Sequence, residues 1–373
     1  INKKDFKRHL NLIKTGIEGI LGLFRDSESK GRLTEEIYKI SKEGPARHIR
    51  QGLTYIQEKT DLKQLKNAAL QACVTRAGDL NQRLERIFSI QDSNWFKWYE
   101  RRKKTVVLHA SPLDISQNMQ ELLYGKGKTV VFASAALSTN GNFDYFRSRL
   151  GLSHDVLEGI YPSHFDFEKQ TLMYIPEDLP LPNDPDFGPR AAERILDILK
   201  MTSGRALVLF TSYQNLNLVH KLLEGKIPYA IFKQGEAPRS RLLEQFRDDT
   251  HSVLLATGSF WQGVDVPGEA LSCLIIDKLP FDSPGEPLVA ARIESIHSRG
   301  GNPFMEYQLP SAIISLRQGL GRLIRNTSDR GILSILDARM IRSRYGRFFF
   351  NSLPKIPLCH ELSQIHRFFE NSS

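Results

Sequence analysis

Cysteine is scarce in this chain: Cys73, Cys273 and Cys359 are the three in 373 residues, far apart and without a C-x-x-C pair. Such spacing supports neither a disulfide framework nor a four-ligand metal centre, so buried, reduced thiols and no metal site are expected. Long apolar runs are absent too, and nothing approaches the roughly 18 residues that a membrane-spanning helix needs. The opening Ile1-Asn2-Lys3-Lys4 leads into a polar helix instead of an apolar core. That excludes a secretory leader, makes a cytoplasmic location the expectation and leaves no role for a membrane. Internal repeats and low-complexity tracts are missing, and no acidic cluster offers the ligands of a metal-dependent nuclease.

What remains is ordinary for globular protein, with 40% hydrophobic and 25% charged residues in a length sufficient for two or three domains. The chain starts with Ile and its first element is a helix with no strand before it, so a fragment of a longer protein is expected. The net charge of +9 is unevenly placed: residues 1–104 hold 23 Lys and Arg against 13 Asp and Glu, leaving 28 against 29 elsewhere. A localised basic surface favours polyanions through phosphate neutralisation and counterion release, although a solvated helical surface has the same composition.

Residues 1–104 carry apolar positions at helical spacing, as in Leu10, Ile13, Ile17, Ile20 and Leu21, and read as an all-helical module of three or four helices. Gly44-Pro45 is expected to break one helix, and Gly78-Asp79 to separate two others. From Thr105 the texture changes. The runs at 106–110, 129–133, 206–210, 253–256, 274–276 and 331–336 have the length and continuous hydrophobicity of strands buried on both faces. Helical patterns at 191–201, 213–223 and 239–246 lie between them, which predicts parallel α/β sheets. The proline-rich stretch from Pro176 to Pro189 reads as a connector between two α/β lobes.

Four segments carry chemistry. Gln318-Gly319-Leu320-Gly321-Arg322-Leu323-Ile324-Arg325 is a Q-x-x-G-R-x-x-R pattern whose spacing would place Gln318, Arg322 and Arg325 on one helix face, with Gly321 opening room for close approach. Two permanently charged guanidiniums beside an amide suit a polyphosphate and can offset charge on a transferring phosphoryl group. The plainer alternative is a salt-bridged amphipathic helix. The loop from Thr257 to Gly268 comes after a strand, where parallel sheets bind ligands, and offers Thr257, Ser259, Gly263 and Asp265. Phe132 to Ser138, with Ser134, and Leu209 to Tyr213, with Thr211 and Ser212, also end strand-like runs in small hydroxylated residues. Alone, the first is better read as a structural loop and the second as a helix cap, although hydroxyls at a helix start can also hold a phosphate.

Taken in order, the segments beginning at Phe132, Leu209, Thr257 and Gln318 resemble motifs III, IV, V and VI of superfamily 2 helicases. The wording of 259–268, Ile275-Ile276-Asp277-Lys278-Leu279-Pro280-Phe281, Gly300-Gly301-Asn302-Pro303-Phe304 and 317–325 is similar to the DinG/XPD-type helicases, nearest the bacterial DinG and YoaA branch, from about Leu108 to Leu353. The resemblance implies a 5′→3′ ATP-dependent DNA helicase with two RecA-like motor lobes and a helical arch. It also implies ATP and Mg2+, an iron-sulfur cluster, single-stranded or forked DNA, and a replication or repair protein as partner. It assigns Arg322, Arg325 and Gln318 to catalysis, and Gly263, Asp265, Gly321 and Ser134 to ATP and coupling. Thr211, Ser212, Thr257 and Ser259 fall to the nucleic-acid strand.

The sequence departs from the family in several places. Ala136 stands where the family usually has Thr. No G-x-x-x-x-G-K-[ST] loop, no Asp-Glu-x-His and no cysteine quartet for the cluster occur in these residues. Gly125 to Lys128 precedes a strand-like run and reads as a turn. The expected order is a helical arch at 1–104, a remnant of the first motor lobe with motif III and a connector at 105–164, and a second RecA-like lobe at 165–373. This portion alone is expected not to hydrolyse ATP. The alternative is a non-catalytic nucleic-acid-binding or partner-docking module derived from such a helicase.

Overall fold

A computed structural model describes residues 3–59, 67–88, 94–124, 127, 129–153, 155–260, 266 and 268–370. The chain forms two compact units, one of Ile1–Ile115 with Ser283–Pro303, the other of Ser116–Asp282 with Phe304–Ser373.

The first unit is built on helices α1 (Lys3–Leu23), α2 (Glu35–Glu43), α3 (Pro45–Glu58) and α4 (Ala68–Phe88). Thr34 caps α2 by accepting the Ile37 N–H at 3.3 Å, and Pro45 opens α3, where its missing N–H is harmless. Helices α1 and α3 run antiparallel in close contact, because glycine removes the side chains between them. A Cβ on Gly16 would lie 2.5 Å from the Pro45 carbonyl oxygen, and one on Gly52 would lie 2.7 Å from that of His9. Ile20, Phe24, Ile49, Leu53, Ala77 and Tyr99 form the core.

A three-stranded antiparallel sheet completes this unit, with β1 (Lys30–Arg32), β2 (Trp95–Arg101) and β3 (Val106–Pro112) in that order. The helix Pro287–Ser298 belongs here despite its distance in sequence. Ion pairs Lys30–Glu286 at 2.9 Å and Arg32–Glu294 at 3.4 Å join its segment to β1. The region is therefore not all-helical as expected, and β3 is a half-buried antiparallel strand instead of one buried on both faces. The aromatic run Trp95-Phe96-Lys97-Trp98-Tyr99 favours a pleated, partly buried surface, which apolar spacing at helical period does not register. Gly78 lies inside α4, where a Cβ would meet the Gln57 amide at 2.6 Å, so it serves close packing and ends no helix. Cys73 is exposed on α4, against expectation.

The second unit runs through α5 (Ser116–Leu122), α6 (Asp144–Leu150), α7 (Phe167–Gln170), β4 (Thr171–Tyr174), α8 (Phe187–Met201), β5 (Ala206–Leu209), α9 (Tyr213–Leu223), β6 (Ile231–Lys233), α10 (Arg239–Asp248), β7 (Val253–Ala256) and β8 (Cys273–Ile276). After the excursion that carries α11 (Pro287–Ser298) come α12 (Leu309–Leu320), β9 (Gly331–Ile335), α13 (Arg339–Arg342), α14 (Gly346–Ser352), β10 (Leu358–Cys359) and α15 (Leu362–Glu370). Seven parallel strands form one sheet in the order β10-β4-β9-β8-β5-β7-β6.

Alternate residues of each strand enter opposite cores, so both faces must be apolar. Leu207, Leu209, Leu254, Leu274 and Ile276 meet α10, α12 and α14, whereas Ala206, Val208, Val253, Cys273 and Ile275 meet α8, α9 and α15. This doubly wound α/β sheet matches the RecA-like expectation. Two details differ from the sequence reading. The Pro176–Pro189 stretch links β4 to α8 within this one sheet and joins no separate lobes. The run at 129–133 forms no strand: it has no regular structure, and Val131 is 81% exposed. A strand of this kind needs hydrogen-bonded neighbours, and the sheet of this unit offers it none.

Gly52→Leu should force α1 and α3 apart and lower the stability of the first unit by about 1–3 kcal/mol. Hydrogen exchange should then accelerate in both helices while the seven-stranded sheet stays protected. Uniform protection would show that the close approach is unimportant.

Candidate functional site

The carboxyl ends of the seven parallel strands share one edge. From β5 the chain turns towards β7 and β6, and from β8 it turns towards β9, so the ends of β5 and β8 flank the point where an α/β sheet takes its ligand. There Asp277, buried and directly after β8, is held by three donors. The Thr211 N–H donates to Oδ1 at 3.0 Å, the Lys278 N–H to Oδ1 at 2.7 Å, and the Asn215 amide to Oδ2 at 2.9 Å. Burial pushes the Asp277 carboxyl up to about 6, against the opposing pull of these donors.

Ser212 caps α9 by accepting the Asn215 N–H at 3.2 Å, so the helix-cap reading of this residue is realised. Thr257, after β7, gives its N–H and hydroxyl to Gln234 Oε1 at 2.6 and 3.1 Å, and the Gln234 amide donates to the Tyr213 hydroxyl at 2.6 Å. A second buried carboxylate, Asp337 after β9, accepts the Leu279 N–H at 2.9 Å and the Arg339 guanidinium at 2.6 Å. Thr211, Ser212 and Thr257 are thereby gathered on one polar rim. Ser259 lies in the turn Gly258–Phe260 that continues it. Gly263 and Asp265 fall outside the described residues, as does most of Gly125 to Lys128.

The arginine motif is elsewhere. Helix α12 ends at Leu320, so Gln318, Arg322 and Arg325 do not share a helix face as their spacing predicts. Gln318 is helical. Arg322 sits in a tight turn closed by its N–H to the Gly319 carbonyl at 2.9 Å, and Arg325 begins a loop in which its N–H donates to Asp329 Oδ2 at 2.8 Å. Glycines at 319 and 321 weaken the helix where the pattern would continue it. The loop is pinned by Gln170, just before β4, which donates to the carbonyls of Asn326 and Asp329 at 2.9 Å each. Because Gln170 and Asp329 precede parallel strands, this motif lies at the amino edge of the sheet, opposite the rim.

A Cβ on Gly321 would meet only the carbonyl oxygens of Arg317 and Gln318, at 3.5 and 3.8 Å, and its φ is −61°. Packing among the described residues does not require glycine there. Arg317, in the last turn of α12, reaches the segment that holds Ser134. Its guanidinium donates to the Ser138 carbonyl and hydroxyl at 2.5 and 3.1 Å and to the Ala135 carbonyl at 2.6 Å. Ser134 itself is exposed and accepts the Ala136 N–H at 3.3 Å.

The helicase C-terminal domain family matches residues 195–356, the span that holds both edges. Over 323 residues the chain is 36% identical to the ATP-dependent DNA helicase YoaA of Haemophilus influenzae, covering 87% of this chain and 50% of that protein. It is 38% identical over 303 residues to YoaA of Escherichia coli, covering 81% and 48%. The chain belongs to the DinG/XPD-like helicases. It corresponds to a C-terminal portion of them and spans about half the length of the curated relatives it matches. The fold agrees with the solved XPD helicase, with a TM-score of 0.57 at 14% identity over 93% of this chain and 64% of that one. It also agrees with Xpd4 of S. tokodaii, with a TM-score of 0.54 at 16% identity over 96% and 71%.

As a DinG/XPD-like chain it offers no fit to an iron-sulfur cluster or to Mg2+ among the described residues. No three His, Cys, Asp or Glu side chains converge there, and Cys273 and Cys359 are buried in strands. No described helix is long and apolar enough to cross a membrane. Sequence reasoning missed Asp277, Gln234 and Arg317 as parts of the site. Asp277 was legible as a charge placed directly after a fully apolar strand. Gln234 and Arg317 had no such signal, since their partners are distant in sequence.

The buried carboxylate and the bridging arginine each make a measurable difference. Because folding raises the Asp277 carboxyl above the ordinary range of about 4, its stabilisation is complete below that pH and is lost as pH rises through about 6. The stability of the protein relative to Asp277→Asn should therefore fall by on the order of 2 kcal/mol between about pH 4 and pH 7. A gap that is flat with pH in chemical denaturation would contradict this. Arg317→Ala should leave unfolding of the sheet within about 1 kcal/mol of wild type, yet raise protease cleavage and hydrogen exchange between residues 134 and 140.

Proposed function

We propose that this chain is the nucleotide-sensing and strand-contacting half of an ATP-dependent DNA helicase that moves 5′→3′ on single-stranded DNA and unwinds duplexes in repair or replication. The observation that carries this reading is the separation of two polar edges on one RecA-like sheet. Arg322, Arg325 and Gln318 occupy the amino edge, and Thr211, Ser212 and Thr257 occupy the carboxyl edge. YoaA relatives named as ATP-dependent DNA helicases support the activity, and polarity and pathway rest on the family resemblance.

In this reading ATP is the substrate, bound between this lobe and a first motor lobe that supplies the phosphate loop and the magnesium ligands. Arg322 and Arg325 offset the negative charge that develops on the transferred phosphoryl group, and Gln318 orients it. The lack of a side chain at Gly321 leaves the turn unobstructed for approach by phosphate oxygens. Arg317 carries the state of α12 to the Ala135–Ser138 segment. The hydroxyls of Thr211 and Ser212 on the opposite rim contact DNA phosphates without reading bases, and Thr257, whose N–H and hydroxyl are engaged by Gln234, holds that rim in shape. The family resemblance assigns coupling between the two to Gly263 and Asp265, which lie outside the described residues.

The proposed division makes 1–115 with 283–303 the arch and 116–164 a contribution to the first motor lobe. The second lobe then comprises 165–282 and 304–373. Exposed apolar side chains in the middle segment, with Val131 at 81% and Tyr161 at 89%, suit a surface that the first lobe covers. A replication or repair protein as partner is carried by the resemblance alone.

Single-strand-stimulated ATP hydrolysis tests this. The 373-residue chain should be inactive, and a form extended upstream should turn over. Arg325→Ala in that form should lose about 10³-fold or more in kcat while strand binding persists. An inactive extended form, or an Arg325→Ala with unchanged turnover, would replace the helicase with the non-catalytic docking module.

A further inference from the structure

The basic excess of the first unit is not used by either edge of the sheet, and much of it converges on one groove. Past the glycine seam of α1 and α3, a cavity of about 680 Å³ opens between α1, α2 and α3, with Phe88 at the end of α4 in its wall. Arg8, Lys42, Arg47 and Arg50 line it, against the single carboxylate Glu58. A second concavity of about 390 Å³ continues from Arg8 and Leu12 along α1 to Lys4 and Lys7. Within the groove the rings of His9 and Tyr55 stack at 3.8 Å and 3°, and the His9 Nδ1 is held by the Asp5 carbonyl at 2.7 Å. Arg50 is steadied by Glu85 at 3.3 Å.

Gly16 against Pro45 and Gly52 against His9 hold the two backbones close along the seam, and Arg8, His9, Arg47, Arg50 and Tyr55 of the same two helices line the groove beside it. Lys7, Arg8, Lys42 and Arg47 are exposed, so their ammonium and guanidinium groups can reach a ligand. A row of cations beside a flat ring pair is the combination that single-stranded nucleic acid requires, because phosphates meet charge while unstacked bases meet a π face. An acidic polypeptide would use the cations and have no need of the rings.

We infer that this groove is a second binding track for single-stranded nucleic acid, remote in sequence from the helicase motifs. Arg8, Arg47 and the lysines of α1 contact phosphates, and the His9–Tyr55 pair offers a stacking platform. The inference rests on the proposed DNA-helicase function, and the test keeps the two apart.

The whole chain is titrated into fluorescein-labelled oligo-dT across a range of NaCl concentrations, with poly-glutamate as competitor. Compared are the wild type, Arg8→Gln/Arg47→Gln, Arg8→Lys/Arg47→Lys, Tyr55→Leu and the rim variant Thr211→Glu. The glutamine pair should weaken oligo-dT binding at least about fivefold and flatten the logarithmic salt dependence by about 1.4, the amount for two phosphates on a single strand. The lysine pair should retain the wild-type salt slope, and Tyr55→Leu should weaken binding without changing that slope. Unchanged affinity and slope in the glutamine pair would overturn the groove, and if Thr211→Glu still abolished binding, the helicase function would stand without it. Stronger binding of poly-glutamate than of oligo-dT would overturn it in favour of an acidic protein segment. Wild-type chain that binds no oligo-dT would overturn both.

Discussion

A strand buried on both faces leaves almost no room for polar side chains along its length, so polarity is confined to its ends. The central strands β5, β7 and β8 obey this: each is apolar throughout and fully buried. The chain turns polar just beyond each of them, at Thr211 after β5, Thr257 after β7 and Asp277 after β8. Parallel pairing then brings these residues to one edge with no further instruction. The buried carboxylates Asp277 and Asp337 complete the arrangement, since each captures backbone N–H groups of neighbouring loops that would otherwise be unsatisfied. The shape of the rim is fixed because the backbone N–H groups of Thr211 and Thr257 are engaged within the protein, which leaves the Thr211 and Ser212 hydroxyls facing outward for use.

That constraint also governs what the sequence discloses. The runs at 206–210, 253–256, 274–276 and 331–336 are strands, and helices at 191–201, 213–223 and 239–246 lie within a few residues of their expected limits. Long apolar stretches answer to one force, burial, and are therefore readable locally. The short edge strands β6 and β10 and the strand β4 are set by pairing with partners far along the chain, which no local pattern records. The run at 129–133 has the composition of a strand but lacks neighbours in this sheet, and composition cannot supply them. Among site residues, Thr211, Ser212 and Thr257 were legible from their place after strands. The helix face expected to carry Gln318, Arg322 and Arg325 together does not form, because helical periodicity says nothing about where two glycines let a helix end.

The two edges of the sheet stand back to back, and a single helix spans the distance. Helix α12 begins near the aromatic residues beyond β8 and ends at the arginine motif before β9. Its start is fastened by Asp282, which accepts the Ser311 hydroxyl at 3.0 Å and the Tyr307 hydroxyl at 3.2 Å. Its end is fastened by Arg317 to the Ala135–Ser138 segment. A displacement at either end of so short a rod is felt at the other, since packed helices shift as bodies and do not bend continuously.

The residues before and after the 283–303 excursion meet in one aromatic cluster. Phe281 and Phe304 lie 5.7 Å apart, with Tyr345 and Phe349 packed around them. The departure and return of the chain are thus closed by rings that belong to the sheet domain itself, and the parallel sheet is indifferent to what the excursion contains. A change in the length or composition of this segment therefore alters the first unit without touching the rings that close the second. The neck is the place at which this architecture tolerates novelty.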